Sequence, residues 1–126
     1  MDRLRAIVLT LAICLGFAAP ALAQVGPSPH AHVRLVADAK AAAPGSTLWV
    51  AVVMDQDPGW HTYWRNPGDA GEATQIAWTL PDGWRAGAID WPVPRRLPLG
   101  PIMNYGYEGR AVLPVPITIP AGAKPG

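Results

Sequence analysis

The sequence predicts an all-β fold, an immunoglobulin-like β-sandwich, and three observations carry that expectation. Apolar residues alternate with polar ones at a period of two in several short runs. Clusters of Pro, Gly, Asn and Asp separate those runs. Beyond residue 23, no stretch places apolar residues at helical spacing. Short strands divided by turns, with no helix to cover a sheet, must bury their apolar faces against a second sheet.

Taken in order, the first strand is expected around Val33 to Ala37. Val33, Leu35 and Ala37 point one way and Arg34 and Asp38 the other, as in a half-buried strand. Pro44-Gly45-Ser46 marks a turn, and Leu48 to Met54 is continuously apolar, which suits a central strand covered on both sides. Trp60 to Arg65 alternates Trp60, Thr62 and Trp64 against His61, Tyr63 and Arg65, rich in the aromatic and β-branched residues that fit a pleated surface. Asn66-Pro67-Gly68-Asp69 places Pro second and Gly third, where a turn requires positive φ. Ile76, Trp78 and Leu80 alternate with Gln75, Ala77 and Thr79, giving another half-buried strand closed by Pro81-Asp82-Gly83.

A short strand is expected over Ala88 to Trp91. Pro92, Pro94, Pro98 and Pro101 then predict an extended loop, because each removes a ladder donor. The last strand, Leu113 to Ile119, carries Pro114 and Pro116. These confine it to a sheet edge or to positions whose N–H would face solvent. An immunoglobulin-like sandwich takes about seven strands in roughly 100 residues. Residues 120–126 read as a turn into a further strand, so the domain is expected to be incomplete, with its last one or two strands missing and an unpaired edge.

The first 23 residues read as a secretory signal peptide. Arg3 and Arg5 open it, Ala6 to Ala19 is apolar, and Ala21-Leu22-Ala23 has the small-x-small pattern of a cleavage site. The apolar run falls short of the ~20 residues a membrane span needs. Residues 24–30 are expected to form a flexible lead and residues 31–126 the domain. Cys14, the only cysteine of the 126 residues, lies in the signal and would be lost with it. The remaining charges balance almost evenly, with no basic patch for nucleic acid and no charged run for a membrane surface. All but one each of the 15 Pro and 13 Gly fall after residue 23, near a level compatible with disorder. Six Trp and several Val, Ile and Leu runs supply the apolar surface that a disordered chain lacks.

Two dense segments, Trp60 to Gly71 and Asn104 to Gly109, attract functional readings. Neither holds a nucleophile, a metal-ligand pair or a phosphate loop. Exposed Trp faces offer rigid contact area for a peptide or glycan; the alternation of Trp60 and Trp64 favours core packing instead. His61 has no Asp, Ser or Cys partner at a meaningful spacing and reads as a hydrogen-bonded structural residue. His30 and His32 are a weak metal signal, since metal sites take three or four ligands. Glu108 lacks a paired carboxylate, and Arg95-Arg96 reads as a solvated pair.

Taken together, Pro58 to Asp69, Ile76 to Pro81, Trp91-Pro92, Asn104 to Gly109 and Leu113-Pro114-Val115 resemble the amino-terminal periplasmic domain of the thiol:disulfide interchange protein DsbD, most of all the branch associated with suppression of copper sensitivity. The resemblance covers about residues 31–120. It implies an immunoglobulin-like domain that hands electrons, received from a membrane electron-transfer domain of the same system, to periplasmic thioredoxin-like proteins. Roles in cytochrome c assembly or copper tolerance follow from it. The family's cysteine pair would come after the strand that Leu113 to Ile119 resembles, and no cysteine stands there. Disulfide exchange requires a thiolate attacking a sulfur, so this chain alone is expected to have no redox turnover and no cofactor. His61, Trp64, Tyr105 and Tyr107 are the expected residues framing the site, in a shielding or partner-contact role, with the Pro94 to Tyr105 region in the place of the family's shielding loop. The alternative reading is a non-enzymatic periplasmic binding module; a copper chaperone using His30 and His32 is a third.

Overall fold

Two nearly continuous apolar segments, Thr47–Gln56 (β2) and Arg110–Thr118 (β7), pair antiparallel from Thr47 opposite Thr118 to Asp55 opposite Arg110. This register sets Leu48, Val50, Val52 and Met54 beside Ile117, Val115, Leu113 and Ala111 on one face. That face is the floor of the core. The computed structural model describes residues 30–124; the expected signal peptide and most of the lead lie outside them.

The remaining strands are β1 (Ala31–Ala37), β3 (His61–Gly68), β4 (Arg85–Ala86), β5 (Arg95–Leu99) and β6 (Ile102–Glu108). They form two antiparallel sheets, one ordered β1-β2-β7-β4 and the other β3-β6-β5, with no helix among the described residues. The all-β sandwich expected from the sequence is therefore the architecture found. Leu113 and Val115 are fully enclosed between the sheets. Met54, Tyr107, Ala111 and Leu113 make one core cluster, with Trp64 and Trp91 against it; Val50, Val115 and Ile117 make a second, with Trp78 and Trp84 against it.

Several elements differ from expectation. Strand β1 forms where predicted, but it is not half-buried. Val33 and Leu35 lie beside Met54 and Val52, on the core face, yet they are 61% and 59% exposed. The three-stranded sheet supplies core partners to β2 and β7 and leaves the edge strand uncovered.

Residues 75–80 form no strand. Their alternation is real, since Ile76, Trp78 and Leu80 pack on the second core cluster while Gln75, Ala77 and Thr79 are exposed. No ladder forms because the free edge of β7 is already taken. Arg85 and Ala86 pair there, and Gly87 and Asp90 donate their N–H groups to Pro116 and Pro114 carbonyls at 2.8 Å. The strand expected over Ala88 to Trp91 is this same flanking segment, bonded to β7 but irregular.

Strand β7 is interior to its sheet, which corrects the edge assignment. The prolines are tolerated because Pro114 and Pro116 turn their nitrogen side toward residues 87–90, where only carbonyl acceptors are needed. Finally, the Pro-rich stretch is not an extended loop. It folds into the β5–β6 hairpin, with Gly100 at φ 58° in the turn and Pro98 on the edge strand β5, where a missing donor costs no ladder bond.

Candidate functional site

The two motif segments prove to be neighbours. β3 and β6 pair antiparallel, with His61 opposite Glu108, Thr62 opposite Tyr107 and Tyr63 opposite Gly106. The register then shifts before Gly68, which meets Asn104. Gly106 is required here, because a Cβ on it would run into the carbonyl oxygen of Thr62. Asn66 to Gly68, expected as a turn, instead continue β3 past the shift, and this end of the strand with Asp69 is locked onto β6. Gly68 has φ 87° and donates its N–H to Asn66 Oδ1 at 3.2 Å. Asp69 Oδ2 accepts the Met103 N–H at 2.7 Å, and its own N–H bonds the Met103 carbonyl at 2.9 Å. Asn104, 1% exposed, accepts the Ala70 N–H at 3.1 Å. Much of what makes these motifs dense is therefore a structural clasp.

The four residues expected to frame a site divide between two faces. Trp64, Tyr105 and Tyr107 lie on the core side, where the Trp64 and Tyr105 rings meet edge to face with centroids 6.5 Å apart. His61 lies on the other side, its ring edge-on to Tyr63 at 5.0 Å. It also borders a cleft with Arg96 and Glu108. Trp60 also departs from expectation. It precedes β3, is 50% exposed and stacks on His30 with ring centroids 3.6 Å apart and planes 9° from parallel. His30 Nδ1 sits 3.5 Å from Asp57 Oδ2, so the chain entering β1 is held at the β2–β3 corner. Among the described residues, no three His, Cys, Asp or Glu side chains converge as a metal site requires.

Tyr107 is the hub of the core side. Its hydroxyl donates to the Pro92 carbonyl at 2.8 Å, while Gln56 Nε2 donates to the Tyr107 carbonyl at 3.1 Å. Burial pushes the Tyr107 phenol up from its ordinary pKa. Three buried polar atoms beside this hub, Gln56 Oε1, Thr62 Oγ1 and Trp64 Nε1, have no hydrogen-bond partner among the described residues. An unpaired buried group costs about 1–3 kcal/mol, so this end of the core carries a polar surplus. Beside Tyr107 opens a cleft of about 310 Å³, walled by Pro92, Val93, Arg95 and Glu108.

Further along β7, Arg110 Nε donates to Asp55 Oδ1 at 2.6 Å and Arg34 reaches Oδ2 at 2.9 Å. The Arg110 hydrogen bond, with its charge and that of Arg34, holds the Asp55 carboxyl below the usual carboxylate range, and the Arg110 guanidinium is raised in return. None of these side chains carries a thiol, the group that disulfide exchange requires.

Sequence reasoning missed Asn104 and Asp69 as the clasp, although their place within the two dense motifs was the available signal. It also missed Pro92 and Gln56, whose roles depend on the fold bringing Tyr107 to them.

The family model for the N-terminal region of the thiol:disulfide interchange protein DsbD matches residues 32–125. The chain belongs to this family. The crystal structure of the N-terminal periplasmic domain of ScsB from Proteus mirabilis is similar to this DsbD-type domain at 30% identity and a TM-score of 0.57. The match covers 72% of this chain and 35% of that one, so the chain spans about a third of the matched structure's length. No curated protein is similar enough to count as a match.

Proposed function

We propose that this DsbD-type domain is the scaffold portion of a periplasmic protein-disulfide reductase system that relays electrons to periplasmic thioredoxin-like proteins. The observation that carries the reading is the family match over residues 32–125, together with the likeness to a ScsB periplasmic domain. Cytochrome c assembly and copper tolerance are the processes it would serve. Export is supported by the signal-like residues 1–23, and cleavage there leaves residues 24–126 without cysteine. A relay step moves two electrons as one thiolate attacks a disulfide sulfur and a second thiol resolves the mixed disulfide. The domain would then hold and shield a sulfur pair that residues 24–126 do not themselves supply. Val33 and Leu35, exposed on the core face of β1, offer apolar surface for another part of the system to cover.

In this reading Trp64, Tyr105 and Tyr107 back the redox-bearing part, and the cleft beside Tyr107 receives the partner. His61, on the opposite face, is a contact residue at the rim. The test is electron transfer by the purified chain to an oxidised thioredoxin-like protein, with reductant supplied. No turnover is expected from this chain, and turnover is expected from a natural longer relative that carries the same domain and a cysteine pair. Turnover by this chain would overturn the reading, as would inactivity of the longer relative.

The alternative, a peptide- or glycan-binding module, has one observation in its favour: Trp60 and Trp49 are substantially exposed. Trp64, Trp78, Trp84 and Trp91 are half-buried against the core clusters rather than grouped with Trp60 and Trp49, so the six rings form no shared aromatic platform of the kind such a module needs.

A further inference from the structure

Three turns meet at the end of the sandwich where β2 begins and β7 ends. Ser46 closes the first by donating its N–H and its hydroxyl to the Ala43 carbonyl. Trp84 closes the second by donating to the Pro81 carbonyl at 3.1 Å, and Ala123 closes the third by donating to the Pro120 carbonyl at 3.0 Å. The first and third turns are also tied to each other, through Gly45 N–H to the Pro120 carbonyl and Ile119 N–H to the Ser46 carbonyl. Between them lies a cavity of about 340 Å³. The Pro44, Trp84 and Ile119 part of its wall is thus fixed by backbone hydrogen bonds before any ligand arrives, while the exposed Lys40 to Ala42 run and Lys124 form its rim.

The chemistry of the lining is asymmetric. Trp84, Ile119, Pro44 and Ala123 supply the apolar part. Lys40 and Lys124 supply the charge, and they are the two lysines of the whole sequence. No Asp or Glu is among the lining residues. A preformed, mostly apolar recess with a few convergent polar groups is the usual form of a small-molecule site. Two cations at its rim with no internal anion fix the sign of the ligand, and an aromatic wall favours a flat or branched apolar body.

We propose that this recess binds a small apolar monocarboxylate, with the hydrocarbon body on Trp84 and Ile119 and the carboxylate between Lys40 and Lys124. The site is independent of the relay function. It lies on the second core cluster, against which Trp84 packs, and not on the Tyr107 side.

The probe is 3-phenylpropionate, titrated into the purified protein and followed through the Trp84 indole N–H signal by NMR. The uncharged 3-phenylpropionamide serves as its isostere. Saturable shifts at Trp84 are expected, with a dissociation constant on the order of 1 mM for a ligand of this size. The exposed double variant K40Q/K124Q should keep its thermal stability and weaken carboxylate binding about tenfold, as two exposed charge contacts allow. The amide should bind the unaltered protein about as weakly, and added salt should weaken the carboxylate but not the amide. Equal binding of acid and amide, unchanged affinity in the double variant, shifts confined to other tryptophans, or no shift at all would each overturn the proposal.

Discussion

The hydroxyl of Tyr107 donates to the carbonyl of Pro92 at 2.8 Å, joining the end of β6 to the start of the Pro-rich segment. Replacing Tyr107 by Phe keeps the buried ring and orphans that carbonyl. A loss of about 1–2 kcal/mol is expected, measured by urea unfolding. A neutral result would mean that solvent reaches Pro92 and satisfies it.

The same residue gives a signature at alkaline pH. Burial raises the folded-state pKa of Tyr107 above its unfolded value. A raised pKa means that the protonated form is the one the fold favours. This stabilisation is fully present below the ordinary phenol pKa of about 10 and is lost as pH rises through the folded value. Unfolding free energies between about pH 8 and pH 11 should fall more steeply for the unaltered protein than for Tyr107→Phe. Parallel curves would show that the phenol ionises without cost to the fold.

The Asp55 cluster behaves oppositely. Its carboxyl is lowered, chiefly by the hydrogen bond from Arg110, so its contribution is present above the ordinary Asp pKa of 3.8 and is lost as pH falls through the lower folded value. Asp55→Asn should flatten the acid limb of a stability–pH profile while leaving the alkaline limb unchanged. Because the cluster is solvent-accessible, the flattening should shrink in high salt.

The strand pattern was legible where alternation, as in Val33 to Ala37 and His61 to Arg65, or a continuous apolar run, as in Leu48 to Met54, coincides with a ladder. It misled at Ile76 to Leu80, where the apolar side chains find the core but the edge of β7 has no room for another strand. The β5–β6 hairpin was hidden because proline was read as breaking a sheet, whereas Pro98 sits on an edge strand. The division of the four aromatic and His residues followed the period of two, which places His61 and Trp64 on opposite faces. What the sequence could not show is that Asn104 accepts the Ala70 N–H and Asp69 the Met103 N–H, each across 34 positions of chain, so that the end of β3 is clasped to β6. These contacts exist only once β3 and β6 are paired.

The β3–β6 junction itself is open to test at Gly106. The position that a Cβ would take lies against the Thr62 carbonyl and the Tyr63 backbone. These are backbone atoms of a paired strand and cannot swing aside as a flexible side chain would. Gly106→Ala should therefore destabilise the domain by about 1–3 kcal/mol or more, with loss of the Thr62–Tyr107 pairing visible in amide exchange. Gly109→Ala is the contrasting variant, since nothing lies within 4 Å of its Cβ position; only its φ of 68° opposes the change. A Gly106→Ala domain as stable as the Gly109→Ala one would mean that the two strands can separate locally without loss.

The uncovered face of β1 makes the last prediction. Val33 and Leu35 lie on the core side of an edge strand and remain largely in solvent. An exposed apolar edge is a template for association between chains. Val33→Thr with Leu35→Gln removes apolar surface without opening a cavity, so unfolding free energy should change by no more than about 0.5 kcal/mol. Light scattering of the purified protein should fall clearly in the double variant at equal concentration. A large loss of stability instead would show that these side chains are buried in solution, and that β1 already has a partner on its inner face.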